Sequence, residues 1–408
     1  MAQTAPRTAR PLRRGLITLI AIAVAALAIV VTGQIGTLFP GGAVAATGSP
    51  AASIAGPSEP LMTVAPPTAP PAPPTPPPPT PVPLVPAPLT GRLVTAEVAE
   101  RHPIAVMVDD HAGARPQAGL NAASVVWHAP AEGGVPRYML VFQDQIPEAV
   151  GPIRSARQYY IEWAAELDAM YVHHGGSPQA QETLFRYGNG RWVYNADGFR
   201  WEGRFVFRTP DRLAPHNVMT DGEHLRRLAK RLKAADGPVK PAWSFAPDTP
   251  RDERPTGGTI KVVYPYETIT YKYDPVGNHY LRYIDGSKVA QVDAADNQLV
   301  APKNVVILRM FFGALNDGHP NKHRLEARNI GKGEAWIATN GVTVKGTWRK
   351  ASATAPTRLF GPDGEEISLT VGQTFVQVLA LTYDFRIKDG TPAGAATSAP
   401  PSAAPSGG

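Results

Sequence analysis

Residues 151–163 read GPIRSARQYYIEW, and the way this stretch is divided between loop and helix decides the fold. Ser155 followed by Gln158 has capping-box spacing. From there Ala156, Tyr160, Trp163, Leu167 and Met170 recur at four- and three-residue steps, the period of one helical face. The spacing predicts a helix over Ser155–Met170. Upstream, Ile104–Val108, Ser124–Trp127 and Tyr138–Phe142 are short apolar runs of strand length. Downstream, Met170–His173 is another, and Ser177–Tyr187 and Asp221–Lys233 carry helical patterns. Strands alternating with helices over 91–235 predict an α/β domain.

Beyond it the pattern changes. From about Gly257 to Ile387, β-branched and aromatic runs such as TITYKYDPVGNHYLRYIDG and AWIATNGVTVKGTWRK alternate with turn residues, and Asn340-Gly341 is the best tight-turn signal. Residues 257–388 are therefore expected to be mostly β. The Pro- and Asp-rich stretch 236–256 reads as a linker between two separable units, and 389–408 as a disordered tail.

Leu16–Val31 is apolar apart from Thr18, and with Thr32–Ile35 it reaches the length of about 20 residues that a membrane-spanning helix needs. Arg7, Arg10, Arg13 and Arg14 lie only on its N-terminal side, which keeps that side cytoplasmic. Residues 1–35 are thus expected to be a cytoplasmic tip and transmembrane anchor, with everything after them extracytoplasmic. The alternative is a signal peptide cleaved near Ala43–Ala46, which would leave a secreted protein. Sixteen of the 44 prolines fall between Pro57 and Pro88, so 36–90 reads as an extended stalk.

The formal charge of +6 suggests a nucleic-acid binder, but four of the 40 basic residues precede the apolar run and all 34 acidic residues follow it. What lies outside the membrane is nearly neutral and lacks the broad basic footprint of such proteins. With no cysteine there is no disulfide, thiolate metal site or lipid-modified N-terminal cysteine. No HExxH or GxSxG motif occurs, which argues against zinc-peptidase and serine-hydrolase chemistry.

Local anion sites are another matter. Arg154 and Arg157 flank the helix start at Ser155, where unpaired N–H groups and two guanidinium forks suit a phosphate or carboxylate. They could instead pair with Glu132, Glu166 or Asp168. A second helix start lies in HHGGSPQAQETL: Ser177 suits the N-cap, Pro178 the first turn, and Gly175 and Gly176 close approach, with His174 or His173 facing the cleft. Either histidine could equally be a satisfied structural group. Asp109 and Asp110 end the first strand and could hold Mg²⁺ or merely cap a loop. Arg115, Glu132, Arg137 and the PHN at Pro215–Asn217 are polar residues in apolar surroundings, fitting a lined pocket or buried ion pairs.

Taken together, ARPQAGL (114–120), AEGGVPRYMLVFQ (131–143), GPIRSAR (151–157), HHGGSPQA (173–180), PHN (215–217) and GTWRK (346–350) resemble the YerB-like family of bacterial lipoproteins, over about His102 to Leu381. The resemblance implies an envelope location and a two-part fold but no established reaction. The chain departs from the lipoprotein members in lacking the lipidated cysteine, a role its apolar run would take over. A weaker, pattern-level similarity is to the LytR-CpsA-Psr glycopolymer ligases. That similarity implies Mg²⁺ at Asp109 or Asp110 and a lipid-linked pyrophosphate held by Arg137 and Arg154. In those ligases an aspartate follows the second arginine, where this chain has Ser155.

The sequence thus predicts a membrane-anchored protein that binds, and could transfer, a phosphorylated or acidic cell-envelope ligand such as a lipid-linked glycopolymer. Its expected partners are that glycan or lipid-linked phosphate and the membrane, with no nucleic acid. A non-enzymatic envelope scaffold is the main alternative. An exported hydrolase using Glu132 and Asp168 is the other.

Overall fold

A computed structural model describes residues 82–393 of the chain. The expected anchor over 1–35 and most of the expected stalk lie outside them. Among the described residues no helix is long and apolar enough to cross a membrane.

The longer strands of the first region are β1 (Ile104–Asp109), β2 (Val125–Pro130), β3 (Pro136–Phe142), β4 (Met170–His173) and β5 (Tyr194–Asp197). The second region supplies β6 (Thr256–Val263), β7 (Thr268–Asp274), β8 (His279–Ile284), β9 (Asn304–Met310) and β10 (Gly331–Thr339). It continues with β11 (Val342–Lys350), β12 (Arg358–Phe360), β13 (Thr374–Ala380) and β14 (Phe385–Thr391). The helices that matter below are α1 (Gln158–Ala165), α2 (Pro178–Tyr187) and α3 (Gly222–Leu232). Ten strands form one sheet in the order β12-β11-β10-β9-β13-β2-β3-β1-β4-β5, and β8-β7-β6-β14 form a second.

Side-chain alternation explains how these parts stack. On β1, Ala105 and Met107 enter a core with Tyr159, Tyr160 and Trp163 of α1. Ile104, Val106 and Val108 enter another, with Leu225 and Leu228 of α3 and with Ile260, Val262 and Tyr271 of the second sheet. The large sheet is therefore covered on both faces here, which is why β1 through β4 read as unbroken apolar runs. The second sheet buries one face, so β7 alternates. Asn340 (φ 51°) and Gly341 (φ 76°) both take positive φ between β10 and β11, as the tight-turn reading requires.

Several expectations are corrected. The described residues are mostly β, and the sheet of the first region mixes parallel and antiparallel neighbours. Its β2 and β3 form a hairpin that places β3 antiparallel between β2 and β1, because a turn of five residues can join only antiparallel neighbours. The two regions are distinct halves of one sheet, joined where β13 runs parallel to β2 with Thr374 opposite Val125. Nor is 236–256 a free linker. Trp243 is buried and donates its indole N–H to the Thr357 carbonyl at 3.0 Å, and Phe245–Ala246 pair with Leu369–Thr370. The end of the supposed stalk is folded too: Ala87, Leu89 and Thr90 are buried. At the other end β14 runs to Thr391, past the expected start of the tail.

Candidate functional site

Parallel β1 and β4 end at the edge where β2 also ends and β3 begins. Asp109, last in β1, therefore sits opposite Arg137, near the start of β3. Residues 153–156 are laid along this edge. The Arg154 N–H donates to the Met107 carbonyl at 2.9 Å, the His174 N–H to the Arg154 carbonyl at 3.0 Å, and the Ala156 N–H to the Gly175 carbonyl at 2.9 Å. A backbone paired in this way cannot also be helical, so the capping-box reading of Ser155 fails. Helix α1 starts at Gln158, and its N-cap residue is Arg157, extended at φ −133°, ψ 150°, with no side-chain cap. Ser155 instead offers its carbonyl to Arg137 Nη1 at 3.0 Å.

Three of the expected anion-site arginines come together here. Arg154 Nε lies 2.7 Å from Asp109 Oδ2, and His216 Nδ1 lies 2.6 Å from the same oxygen. Arg137 and Arg157 share Glu132, with Arg137 Nη2 2.6 Å from Oε2. Burial lowers the pKa of all three guanidiniums, that of Arg157 to about 10, but leaves them cationic near neutrality. Three cations thus meet two carboxylates. The side chains of Arg154, His216 and Glu132 keep 25%, 15% and 30% of their surface exposed, so the corner is open to solvent. Gly133, next to Glu132, donates to the His323 carbonyl at 2.8 Å and lines a pocket of about 490 Å³ with Leu315, Asp317, Arg324 and Leu325. A larger hollow of about 880 Å³, beside Trp243 and Phe245, contains none of these arginines.

The glycine turn behaves differently. Ser177 does cap α2, its hydroxyl accepting the Ala180 N–H at 3.3 Å with Pro178 in the first turn. The Gly175 N–H, however, is taken by Asp197 Oδ1 at 3.2 Å, and His174 Nε2 lies 3.1 Å from Glu202. Gly175 (φ 70°) has a steric reason to be glycine, since a Cβ there would lie 2.9 Å from the Phe199 ring. Gly176 packs against Ala156. His173 is fully buried with both ring nitrogens bonded, to the Gly175 carbonyl and to Asn195, as a structural histidine should be.

Asp109 and Asp110 do not form a pair. Strand alternation turns Asp110 to the opposite face, where it lies 2.8 Å from His128 Nε2. His128 is 3.4 Å from Glu267, and Arg115 bridges Asp110, Glu267 and Asp285. Arg115 therefore belongs to this cluster and not to the corner. Arg282, fully buried, lies over the Tyr138 and Tyr271 rings. His128 Nδ1 is 3.0 Å from Gln377 Oε1, which also accepts from Tyr264. Burial would raise Asp110, but His128, Arg282 and Arg115 outweigh it and hold the carboxyl well below its usual range. Burial and the Asp110 charge push Glu267 up to about 9. Asp110, His128 and Glu267 offer three ligand atoms within 4.8 Å of one another. Mg²⁺ prefers octahedral oxygen and keeps several waters. A sealed cluster with an imidazole and two balancing guanidiniums does not fit it.

Glu267, Arg282, His128 and Gln377 were not found by reading the sequence. One signal was available: Arg282 occupies an inward position of alternating β8, flanked two residues away by buried Tyr280. The importance of His216 was visible only as the PHN triplet.

The fold has counterparts. Residues 89–235 match the model described as "Protein of unknown function (DUF3048) N-terminal domain", and 260–376 match its C-terminal domain. The Bacillus subtilis (strain 168) protein described as "Putative lipoprotein YerB" is 30% identical over 303 residues, covering 71% of this chain and 85% of that protein. A crystal structure of YerB from Bacillus subtilis is similar with a TM-score of 0.64 at 26% identity, over 74% of this chain and 99% of that one. With both domains matched in order, the chain belongs to the YerB-like, DUF3048 family.

Proposed function

We propose that this protein is tethered outside the cytoplasmic membrane and binds a phosphorylated or acidic cell-envelope ligand, such as a lipid-linked glycopolymer, at the Arg137–Arg154–Arg157 corner. The observation that carries the reading is the charge imbalance: three guanidiniums share Asp109 and Glu132 at a partly exposed sheet edge. One positive charge is left over, and like charges this close need a further anion. The pocket beside Glu132 gives room for the body of such a ligand. The lipoprotein description of the Bacillus subtilis relative supports the location. Titration calorimetry with inorganic pyrophosphate tests the reading: binding should be lost in Arg154→Ala while the fold persists.

A second reading, a non-enzymatic scaffold, is favoured by the direct pairing of Arg137 and Arg157 with Glu132. On that reading pyrophosphate does not bind and Arg154→Ala chiefly lowers the melting temperature.

A further inference from the structure

We infer that the corner also performs base catalysis, with His216 as the general base for substitution at a phosphorus centre held by Arg154. The inference rests on the anion-binding reading above and adds a reaction to it.

His216 and Arg154 reach the corner together because their chain segments are stitched to each other. The Ile153 N–H donates to the Val218 carbonyl at 2.6 Å, and Val150 pairs with Thr220. Asp109 is buried and, ionised, can only accept, so the 2.6 Å contact makes His216 Nδ1 the donor. In the neutral ring Nε2 then carries the lone pair, and it has no hydrogen-bond partner among the described residues. A Cβ on Gly113 would lie 3.5 Å from Nε2, in ordinary van der Waals contact.

The neighbouring ring has the opposite polarity. His111 stacks on His216 with centroids 4.8 Å apart and planes 8° from parallel. Its Nδ1 accepts the Gly113 N–H at 3.1 Å, so in the neutral ring the proton sits on Nε2. One ring therefore presents an acceptor and the other a donor, each fixed by a bond on its far nitrogen. Arg154 contacts Asp109 through Nε, and its two Nη groups have no partner among the described residues. A guanidinium fork and an oriented base at an open edge together form a proton-transfer site.

In the step this permits, an oxygen of water or of an acceptor hydroxyl attacks phosphorus while its proton passes to His216 Nε2. The bond from phosphorus to the leaving oxygen breaks, and that oxygen departs as the anion or takes a proton from water. His216 then gives its proton to solvent, which restores the neutral ring. Arg154 stabilises the charge that grows on the non-bridging oxygens.

The full-length chain in detergent, assayed with bis(4-nitrophenyl) phosphate and 4-nitrophenyl phosphate, tests this. Release of 4-nitrophenolate should fall about 100-fold or more in His216→Gln, with kcat affected and pyrophosphate binding kept within about twofold. The wild-type rate should rise with pH, and that of His216→Gln should not. A wild-type rate equal to that of His216→Gln on both esters overturns the inference even if pyrophosphate binds. Absence of pyrophosphate binding to the wild type overturns the anion reading instead.

Discussion

Asp109 and Asp110 are neighbours in the chain and opposites in the fold. Asp109 serves an open corner where Arg154 and His216 keep part of their surface in water. Asp110 serves a sealed cluster whose members Asp110, His128 and Arg282 are essentially without exposed surface. One step along a strand moves a carboxylate from the helical face of the sheet to the face covered by the second sheet. The same residue type thus becomes part of a site in one case and part of the joint between two halves in the other. The open corner should show its loss in binding, and the sealed cluster in stability.

The largest effect should come from the sealed side. Arg282→Ala removes the buried cation beneath Asp110 and Glu267 and should cost about 3–5 kcal/mol in urea unfolding. A loss under about 1 kcal/mol would break the contrast. Next comes Lys350, fully buried in β11 and 2.7 Å from Glu166 at the end of α1. Lys350→Met should cost about 3 kcal/mol at pH 7. Burial already raises Glu166, and without the lysine its carboxyl can take a proton, so the cost should shrink near pH 5. A pH-independent cost would rule out that account.

Glu267→Gln sharpens the comparison through pH. The folded carboxyl keeps its proton up to about 9, whereas an ordinary glutamate loses it near 4.5. The stability linked to that proton is complete below 4.5, declines as pH rises, and is gone above 9. The melting temperature of the wild type should therefore fall more between pH 5 and 9 than that of Glu267→Gln, and parallel curves would refute the assignment. The smallest stability change belongs to the open corner. Arg154→Ala should cost under about 1 kcal/mol, because its ion pair is partly solvated. A cost equal to that of Arg282→Ala would mean that the corner too is structural.

What could be read from the sequence was local. Strands β1 to β4 announced themselves as apolar runs, and Ser177 as a helix cap, because neighbours within a few residues decide those features. Ser155 misled for the same reason. Its spacing obeys the capping rule, but the backbone at 154–156 is claimed by Met107, His174 and Gly175, which no local pattern reveals. Arg154 and Arg157 come together because they are three residues apart, whereas Arg137 is brought to them by antiparallel β3, opposite Asp109. The partners of Asp110 could not be read, since Glu267 and Arg282 arrive from the other half of the chain.

The seam between β13 and β2 has a consequence for how the protein is made. Val125 lies opposite Thr374, about 250 residues further along. A chain synthesised from its N-terminus would present β2 with a bare, apolar edge until nearly all of it is made, with its natural neighbour still to come. Such long-range pairing closes late. The first half should therefore be prone to stick to other copies of itself until β13 arrives. A chain that stops short of Ala380 would never lose that hazard.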